Sequence, residues 1–235
     1  MWLSCSWPCY VGGCSGGPRT LPSSLYASLA QSCNTWRDMN DIYDNIDSLY
    51  SILGAYTNPA AIALHNAVNR PGSFSDADML TAGAGGLSIH EETMQMVMWA
   101  MLSSPLMMSN DLPSIPPESK ALLLNTEILA VSQDTTSFTF NVTGDHTYCR
   151  NLNGSAIALA GLHQTSLGPP TPILLSPATL PTSSQLSNCL LPVHAGVSSW
   201  AFRDAIAHQD LPSGTQAACM AAQPGACLVI ATPIA

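Results

Sequence analysis

Six aspartates are the residues of this chain whose type and spacing could support chemistry. Four recur at every third position and two more stand two residues apart: Asp38, Asp41, Asp44, Asp47, Asp76 and Asp78. On a helix, a period of three places side chains on one face, normally a solvated one, whereas residues two apart on a strand point to the same side. Paired carboxylates serve general acid/base catalysis or bind a metal ion. Taken alone, neither group of aspartates separates these chemistries from a solvated acidic surface.

Metal and cofactor motifs do not accompany these aspartates. The histidines are scattered without the spacing of metal ligands, at His65, His90, His146, His163, His194 and His208. The run Gly83-Ala84-Gly85-Gly86 precedes a helical pattern, but it lacks the lysine of a phosphate loop and the spacing of a dinucleotide fingerprint. We therefore expect no metal ion and no cofactor.

The composition argues against two classes of partner. The 235 residues have a net charge of −9 and Lys120 is the only lysine, which disfavours a nucleic-acid backbone or an anionic membrane as partner. The most apolar run, residues 94–108, is too short and too interrupted to span a bilayer. We therefore expect no nucleic acid and no membrane among the partners.

The interior of the sequence is typical of a secreted protein, but its start is not. Eight cysteines favour an oxidising compartment, although free buried cysteine is also common. Asn141-Val142-Thr143 and Asn153-Gly154-Ser155 have the form of N-glycosylation acceptors, which also arises by chance. No signal peptide is visible at Met1, so we expect the natural N-terminus to lie upstream.

Strand and helix patterns alternate through residue 131 and then stop. Helical spacing covers residues 23–31, 46–56 and 59–68, and Ser88-Ile89-His90-Glu91 is a capping box that opens a helix over residues 91–103. This alternation is typical of repeated β/α units. Beyond Asp134, strand-like runs at 138–142 and 156–160 are separated by proline-rich segments, which predicts a small antiparallel β domain at residues 135–235.

A family resemblance rests on motifs that stand in a fixed order. They include Cys5-Ser6-Trp7-Pro8-Cys9-Tyr10, Trp36-Arg37, Asp41-Ile42, Asp78-Met79-Leu80, Gly86-Leu87-Ser88 and Ser109-Asn110-Asp111-Leu112. In this order they resemble the later active-site loops of the α-galactosidases and α-N-acetylgalactosaminidases of glycoside hydrolase family 27. The resemblance implies an α/β fold in which residues 1–134 form the second half of a (β/α)8 TIM barrel. A small antiparallel β-sandwich at residues 135–235 would follow.

The resemblance implies a retaining glycosidase that removes terminal α-linked galactose or N-acetylgalactosamine. Asp41 matches the general acid/base, and holding its proton requires a pKa raised by burial or by the nucleophile's charge. Arg37 matches a sugar-contacting arginine, with a structural partner of a carboxylate as the alternative. Asp78 matches a residue of the site floor that contacts sugar or orients its neighbours. Met79 matches a pocket residue, with a core role as the alternative.

The first motif sets the expected specificity. Trp7 and Tyr10 match walls of the pocket, with simple packing as the alternative. Ser6 and Cys9 stand where galactose-restricted members have bulkier residues, and the animal α-N-acetylgalactosaminidases read Ser-Trp-Pro-Ala there. The resemblance therefore implies a pocket that accepts a 2-acetamido sugar and also galactose. It further implies a Cys5–Cys33 disulfide. Apart from the resemblance, we expect Cys219 and Cys227 to pair across a hairpin and Cys9 to be free.

Two departures from the family pattern bear on function. The family's nucleophilic aspartate lies upstream of the first motif, so we expect this chain alone to be inactive. Phe74-Ser75-Asp76-Ala77-Asp78 replaces the family's Trp-Asn-Asp-Pro-Asp, which predicts a looser loop. The alternative function is a non-catalytic carbohydrate-binding or interaction remnant of the same fold. By resemblance the protein is secreted or resides in a lysosome-like or vacuole-like compartment, and a homodimer is possible.

Overall fold

The computed structural model describes residues 1–12, 21–177, 189 and 192–234. Its helices are α1 Trp7–Gly12, α2 Ser23–Ser32, α3 Ile46–Tyr56, α4 Pro59–Val68, α5 Ile89–Leu102, α6 Pro117–Leu123 and α7 Thr126–Gln133. Its strands are β1 Ser4–Cys5, β2 Thr35–Trp36, β3 Phe74–Ser75, β4 Asn141–Gly144, β5 Thr147–Asn151, β6 Ile157–Leu175, β7 Trp200–Asp204, β8 Gln209–Gly214 and β9 Ala217–Pro233. Helices thus dominate the first part of the chain and strands the second.

The first three strands form a parallel sheet in the order β1-β2-β3. Ser4 pairs with Thr35, and Trp36 pairs with Ser75. A further parallel bridge joins Leu80 to Met108. Helices connect the strands, as β/α units require, and every strand ends at the same edge of the sheet. In (β/α)8 barrels that edge holds the active site.

Local signals set the helix starts. The Asn45 side chain accepts a hydrogen bond from Ser48 N at the start of α3, and Asn58 caps α4 with Pro59 in its first turn. Both bonds of the predicted capping box join Ser88 and Glu91 at the start of α5. The helix predicted from this box is confirmed. Its last residue is Leu102, and its C-cap, Ser103, has a left-handed backbone with φ of 56°.

Helix α5 is the centre of the core. Every side chain from Met94 to Leu102 is buried, and a helix that is apolar all round must be covered on every side. It packs against α6 and α7 and also against β6 and β9 of the second sheet. Among the described residues, no helix is both long enough and apolar enough to cross a membrane.

The second sheet is antiparallel, in the order β4-β5-β6-β9-β7-β8. Its two long strands, β6 and β9, are each bent along their length. In β6 the register shifts between His163 and Thr171, and a Cβ placed on Gly161 would lie 2.5 Å from the Cγ2 atom of Ile173. The antiparallel strands predicted for this part of the chain are present and belong to one sheet.

The disulfides confirm two of the three cysteine predictions. Cys5 is bonded to Cys33, and Cys219 to Cys227. The second pair lies within β9, where eight extended residues would span roughly 26 Å, yet the Cα atoms are 6.0 Å apart because the strand bends over. A third bond joins Cys149 to Cys189. The prediction that Cys9 is free is wrong, because Cys9 is disulfide-bonded.

Buried Arg150 ties the antiparallel sheet to the helical part. Its guanidinium donates to the carbonyl oxygens of Ala100 at 2.6 Å, Ser137 at 3.0 Å and Asp134 at 2.9 Å. Ala100 belongs to the last turn of α5, where a cation is favourable. Burial lowers the pKa of Arg150 to about 10, so it stays charged at neutral pH.

We expect Arg150→Met to lower the free energy of unfolding by roughly 3–5 kcal/mol, because it strands three carbonyl oxygens in the core. Urea unfolding followed by circular dichroism measures the loss. Lys120→Met, at an exposed cation of α6, is the matched control and should change stability by less than about 0.5 kcal/mol. Equal effects of the two substitutions would contradict this role of Arg150.

Candidate active site

Arg37 joins two loops at the carboxyl edge of the parallel sheet. Its Nη1 atom lies 2.9 Å from Asp41 Oδ1, and its Nη2 atom lies 2.6 Å from Asp78 Oδ2. The Asp78 Oδ2 atom also accepts from Ile42 N at 2.7 Å. Arg37 and Asp41 follow β2, whereas Asp78 follows β3, so these bonds fix one loop against the other.

The three side chains differ in exposure. The side chains of Arg37 and Asp78 are 18% and 11% exposed, whereas that of Asp41 is 80% exposed. The burial expected for Asp41 from the sequence is therefore not present.

Asp78 has an unusual backbone conformation, with φ of 79°. A residue other than glycine in this region is strained, and such residues cluster at functional sites. Its backbone N–H donates to Asp76 Oδ1, and its own Oδ1 accepts from Met79 N, both at 2.9 Å. Together with Arg37 and Ile42, these bonds occupy both oxygens of its carboxylate.

Side chains of helix α5 form hydrogen bonds with the backbone from Asp78 to Thr81. The Trp99 indole donates to Asp78 O at 2.6 Å. The amide of Gln95 donates to Met79 O at 3.2 Å and accepts from Thr81 N at 3.0 Å. The loop that the sequence predicts to be loose is therefore tied to the central helix of the core.

A buried polar chain links the two strands beneath the site. His65 Nε2 lies 2.6 Å from Asp38 Oδ2, and His65 Nδ1 lies 3.3 Å from Ser75 Oγ. Asp38 also accepts from the Tyr26 hydroxyl at 2.8 Å. Asp38 belongs to the loop after β2 and Ser75 to β3, so the imidazole connects both. All four residues are buried, which makes this a positioning network and not a second site.

The aspartates with a period of three do not form a helical stripe, so that interpretation is wrong. Helix α3 begins only at Ile46. Asp38 is buried, Asp41 faces Arg37, and Asp44 Oδ2 accepts from Gly86 N at 2.6 Å. Gly86 is required there, because a Cβ would lie only 1.9 Å from Asp44 O.

Two hollows meet at Arg37 and Asp41. The first, of about 190 Å³, is lined by Ser6, Cys9 and Tyr10, with Met39, Asn40 and Tyr43. The second, of about 300 Å³, is lined by Ile42, Asp78, Met79, Thr81 and Ser109. The structure thus brings together all the residues that the sequence places at the site except Trp7, which is exposed and lines neither hollow.

Sequence reasoning missed several lining residues. Met39, Asn40 and Tyr43 lie within or beside the Arg37–Ile42 motif, and Ser109 begins a matched motif, so adjacency to the motifs was the available signal. Nothing in the sequence indicated that Thr81 lines the site, except that it follows Asp78-Met79-Leu80. Within the described part of the chain, no three metal-ligating side chains converge.

A larger hollow, of about 510 Å³, lies elsewhere and shares no residue with the site. It is lined by Trp2, Phe74, Phe138 and other uncharged side chains. Trp2 precedes β1 and Phe74 begins β3, so this hollow lies at the amino ends of the strands. It holds no titratable group and is not a candidate for the chemistry.

Burial raises the pKa of the Asp76 carboxyl above its ordinary value. The hydrogen bond from Asp78 N and the charge of Arg37 oppose this shift, and the charge of Asp78 adds to it. Asp76 is therefore a buried acid within the loop that holds Asp78.

Comparisons with known proteins identify the family of the chain. Residues 1–134 match the family model described as alpha galactosidase A. The chain is 39% identical to α-N-acetylgalactosaminidase of Rattus norvegicus over 132 residues, which are 56% of this chain and 30% of that protein. It is 34% identical to α-galactosidase A of Homo sapiens over 184 residues, 75% of this chain and 40% of that protein. The chain thus spans less than half the length of these relatives.

Solved structures show the same fold. α-Galactosidase I from Mortierella vinacea superposes with a TM-score of 0.71 at 20% identity, covering 96% of this chain and 66% of that one. An α-galactosidase from Saccharomyces cerevisiae, solved with raffinose, gives 0.69 at 16% identity, covering 96% of this chain and 71% of that one. At these identities the likeness shows the fold alone: this chain has part of the fold of these glycosidases.

We expect His65→Leu to lower the free energy of unfolding by roughly 2–4 kcal/mol, because it leaves the Asp38 carboxylate buried without its imidazole partner. His65→Gln should lose less, since its amide can still donate to Asp38. His90→Leu, at an exposed position of α5, is the control in the same urea titration. A loss for His65→Leu no greater than that for His90→Leu would contradict the network.

Asp76→Asn should stabilise the protein relative to the parent as pH rises. The pKa of Asp76 is raised in the folded protein. Asp76 therefore contributes favourably to the free energy of unfolding below its pKa in the unfolded chain, about 3.9, and this contribution is lost as pH rises through its folded-state pKa. Unfolding free energies measured from about pH 3.5 to about pH 7 should therefore move in favour of the variant. Asp145→Asn, whose parent side chain is 98% exposed, is the control. A difference that stays constant or moves the other way would exclude a raised pKa.

Proposed function

Because the chain belongs to the α-galactosidase A family, we propose that it supplies the acid/base side of a retaining exo-glycosidase site. The substrate class is glycoconjugates or oligosaccharides with terminal α-linked galactose or N-acetylgalactosamine. The observation behind this proposal is the pair of contacts from Arg37 to Asp41 and Asp78 at the carboxyl edge of the parallel strands. That edge is where barrel enzymes place their chemistry.

Asp41 acts twice in the proposed reaction. A nucleophilic carboxylate attacks the anomeric carbon while the bond to the leaving oxygen breaks, and Asp41 gives its proton to that oxygen. Water then loses a proton to Asp41 and attacks the same carbon, which releases the sugar and regenerates both carboxylates. Arg37 directs the Asp41 side chain toward the site and offers a donor to a sugar hydroxyl.

Asp78 is poorly suited to be the nucleophile. Its Oδ2 atom is ion-paired with Arg37 and accepts from Ile42 N, and its Oδ1 atom accepts from Met79 N. A retaining site needs a second carboxylate at about 5–5.5 Å from the first. We propose that this carboxylate comes from a segment that precedes the first motif in the complete enzyme, and that this chain alone is inactive.

Ser6 and Cys9 set the proposed sugar preference. Both line the hollow that also contains Arg37 and Asp41, and both are small. The space beside them is proposed to accept the acetamido group of N-acetylgalactosamine as well as the hydroxyl of galactose. Cys9 is disulfide-bonded, so its side chain is held in place rather than free to move aside.

A secreted, lysosomal or vacuolar location fits the disulfides, which form in oxidising compartments. A homodimer stays a prediction.

The second candidate function is carbohydrate binding without catalysis. The observation that favours it is the exposed Asp41, which lies beside a carboxylate whose oxygens are both engaged.

The proposed function predicts a specific role for Asp41. The chain alone should not hydrolyse aryl α-galactosides or aryl α-N-acetylgalactosaminides. A chimera that places the upstream half of the rat relative before Met1 should hydrolyse them, and Asp41→Asn should cut that turnover by about 10²–10⁴-fold. The loss should be smaller for good leaving groups, which need less protonation. Asp47→Asn, at an exposed position of α3, is the control.

The outcomes separate the candidates. Turnover by the chain alone that depends on Asp41 would refute the missing nucleophile. A folded chimera that binds galactose yet shows no turnover would favour the binding function.

The second prediction concerns specificity. In the chimera, Ser6→Glu should fill the acetamide space and give the 2-hydroxyl a partner. The ratio of kcat/KM for galactose over N-acetylgalactosamine should then rise by at least about tenfold. Ser6→Ala keeps the space open and is the control. Cys9 is left intact, because changing it would break its disulfide. An unchanged ratio in Ser6→Glu would remove Ser6 from the sugar pocket.

A further inference from the structure

The two glycosylation sequons of the chain differ in their surroundings. Asn141 begins β4 and is 4% exposed, with its Nδ2 atom 3.7 Å from Cys189 Sγ. An N-linked glycan replaces one hydrogen on Nδ2 with a large hydrophilic group, and the folded domain has no room for that group at this position. The Asn141 sequon is therefore incompatible with the fold when modified.

Asn153 has the opposite environment. It is exposed, in a short turn, Asn153–Ser155, between β5 and β6. Its backbone N–H donates to Asp134 Oδ2 and its Oδ1 atom accepts from Gly154 N, both at 2.8 Å. Its Nδ2 atom donates to none of the described residues. The backbone is thus fixed while the atom that would be glycosylated faces solvent.

The disulfides indicate that the chain meets the modifying machinery. Three pairs lie in the described residues and Cys9 is also bonded, which is typical of proteins that fold in the oxidising secretory pathway. N-linked glycans are added in that same pathway to Asn-x-Ser/Thr.

We propose that Asn153 carries an N-linked glycan and that Asn141 does not. The donor is a lipid-pyrophosphate-linked oligosaccharide. Asn153 Nδ2 attacks the anomeric carbon of its first sugar, the new N–C bond replaces the C–O bond to pyrophosphate, and the amide loses one proton. The lipid pyrophosphate is the leaving group. This modification does not depend on the proposed glycosidase function.

The test uses the full chain, expressed behind a cleavable leader in a eukaryotic secretory host. After reduction, which opens the Cys149–Cys189 bond, trypsin cuts at Arg150 and places the two sequons on separate peptides. Mass spectrometry of the intact glycopeptides then assigns the glycan. Asn153-Gly154 can also deamidate spontaneously, so enzymatic deglycosylation is run in water enriched in heavy oxygen. The aspartate that the enzyme forms then contains heavy oxygen, whereas aspartate from earlier deamidation does not.

We expect a glycan on the peptide that begins at Asn151 and none on the peptide that ends at Arg150. Asn153→Gln and Ser155→Ala should each abolish it, whereas Thr143→Ala, which removes only the Asn141 sequon, should leave it unchanged. Secreted and cell-retained material are both digested, so a variant that folds poorly still gives a result. An unmodified Asn153 in the disulfide-bonded parent chain, or a glycan on Asn141 instead, overturns the proposal.

Discussion

The fold depends on the burial of α5, a helix whose side chains from Met94 to Leu102 are all buried and, apart from Gln95, apolar. No single layer can cover such a helix, so α6, α7 and the bent antiparallel sheet must all pack on it. Arg150 completes this arrangement by binding the Ala100 carbonyl of its last turn. The same helix holds the site, since Trp99 and Gln95 bind the backbone from Asp78 to Thr81. Core packing and the position of the candidate catalytic loop therefore share one element.

Arg37 connects Asp41 to Asp78, whose position is fixed by α5. One guanidinium serves two carboxylates from different loops, and such charge-assisted bonds have strong geometric preferences. Asp78, held by four hydrogen bonds and in a strained backbone, fixes this arrangement. Asp41 is the exposed end of the chain of contacts. This asymmetry fits the roles proposed above, in which Asp41 is open to substrate and water and Asp78 holds the arginine.

The sequence predicted local features well because their causes are local. The capping box at Ser88 and Glu91 sets the start of α5, and the motif order placed Arg37, Asp41 and Asp78 at one edge. What the sequence did not reveal includes contacts between distant residues. His65 meets Asp38 from 27 positions away, and nothing in the spacing of histidines indicates it. The aspartate stripe was wrong because loop residues need not follow a helical period, and the bend of β6 and β9 depends on packing that a strand pattern does not encode.

The loop after β3 explains how a departure from the family motif can preserve geometry. Where the motif has proline, this chain has Ala77, whose N–H donates to Ser104 Oγ at 2.8 Å; proline has no such donor. Where the motif has asparagine, Ser75 meets His65, which in turn binds Asp38. The rigidity that proline supplies through its ring is supplied here by hydrogen bonds to α5's end and to α4. Asp78 is consequently fixed by long-range partners, and a motif-by-motif comparison understates how well the loop is held.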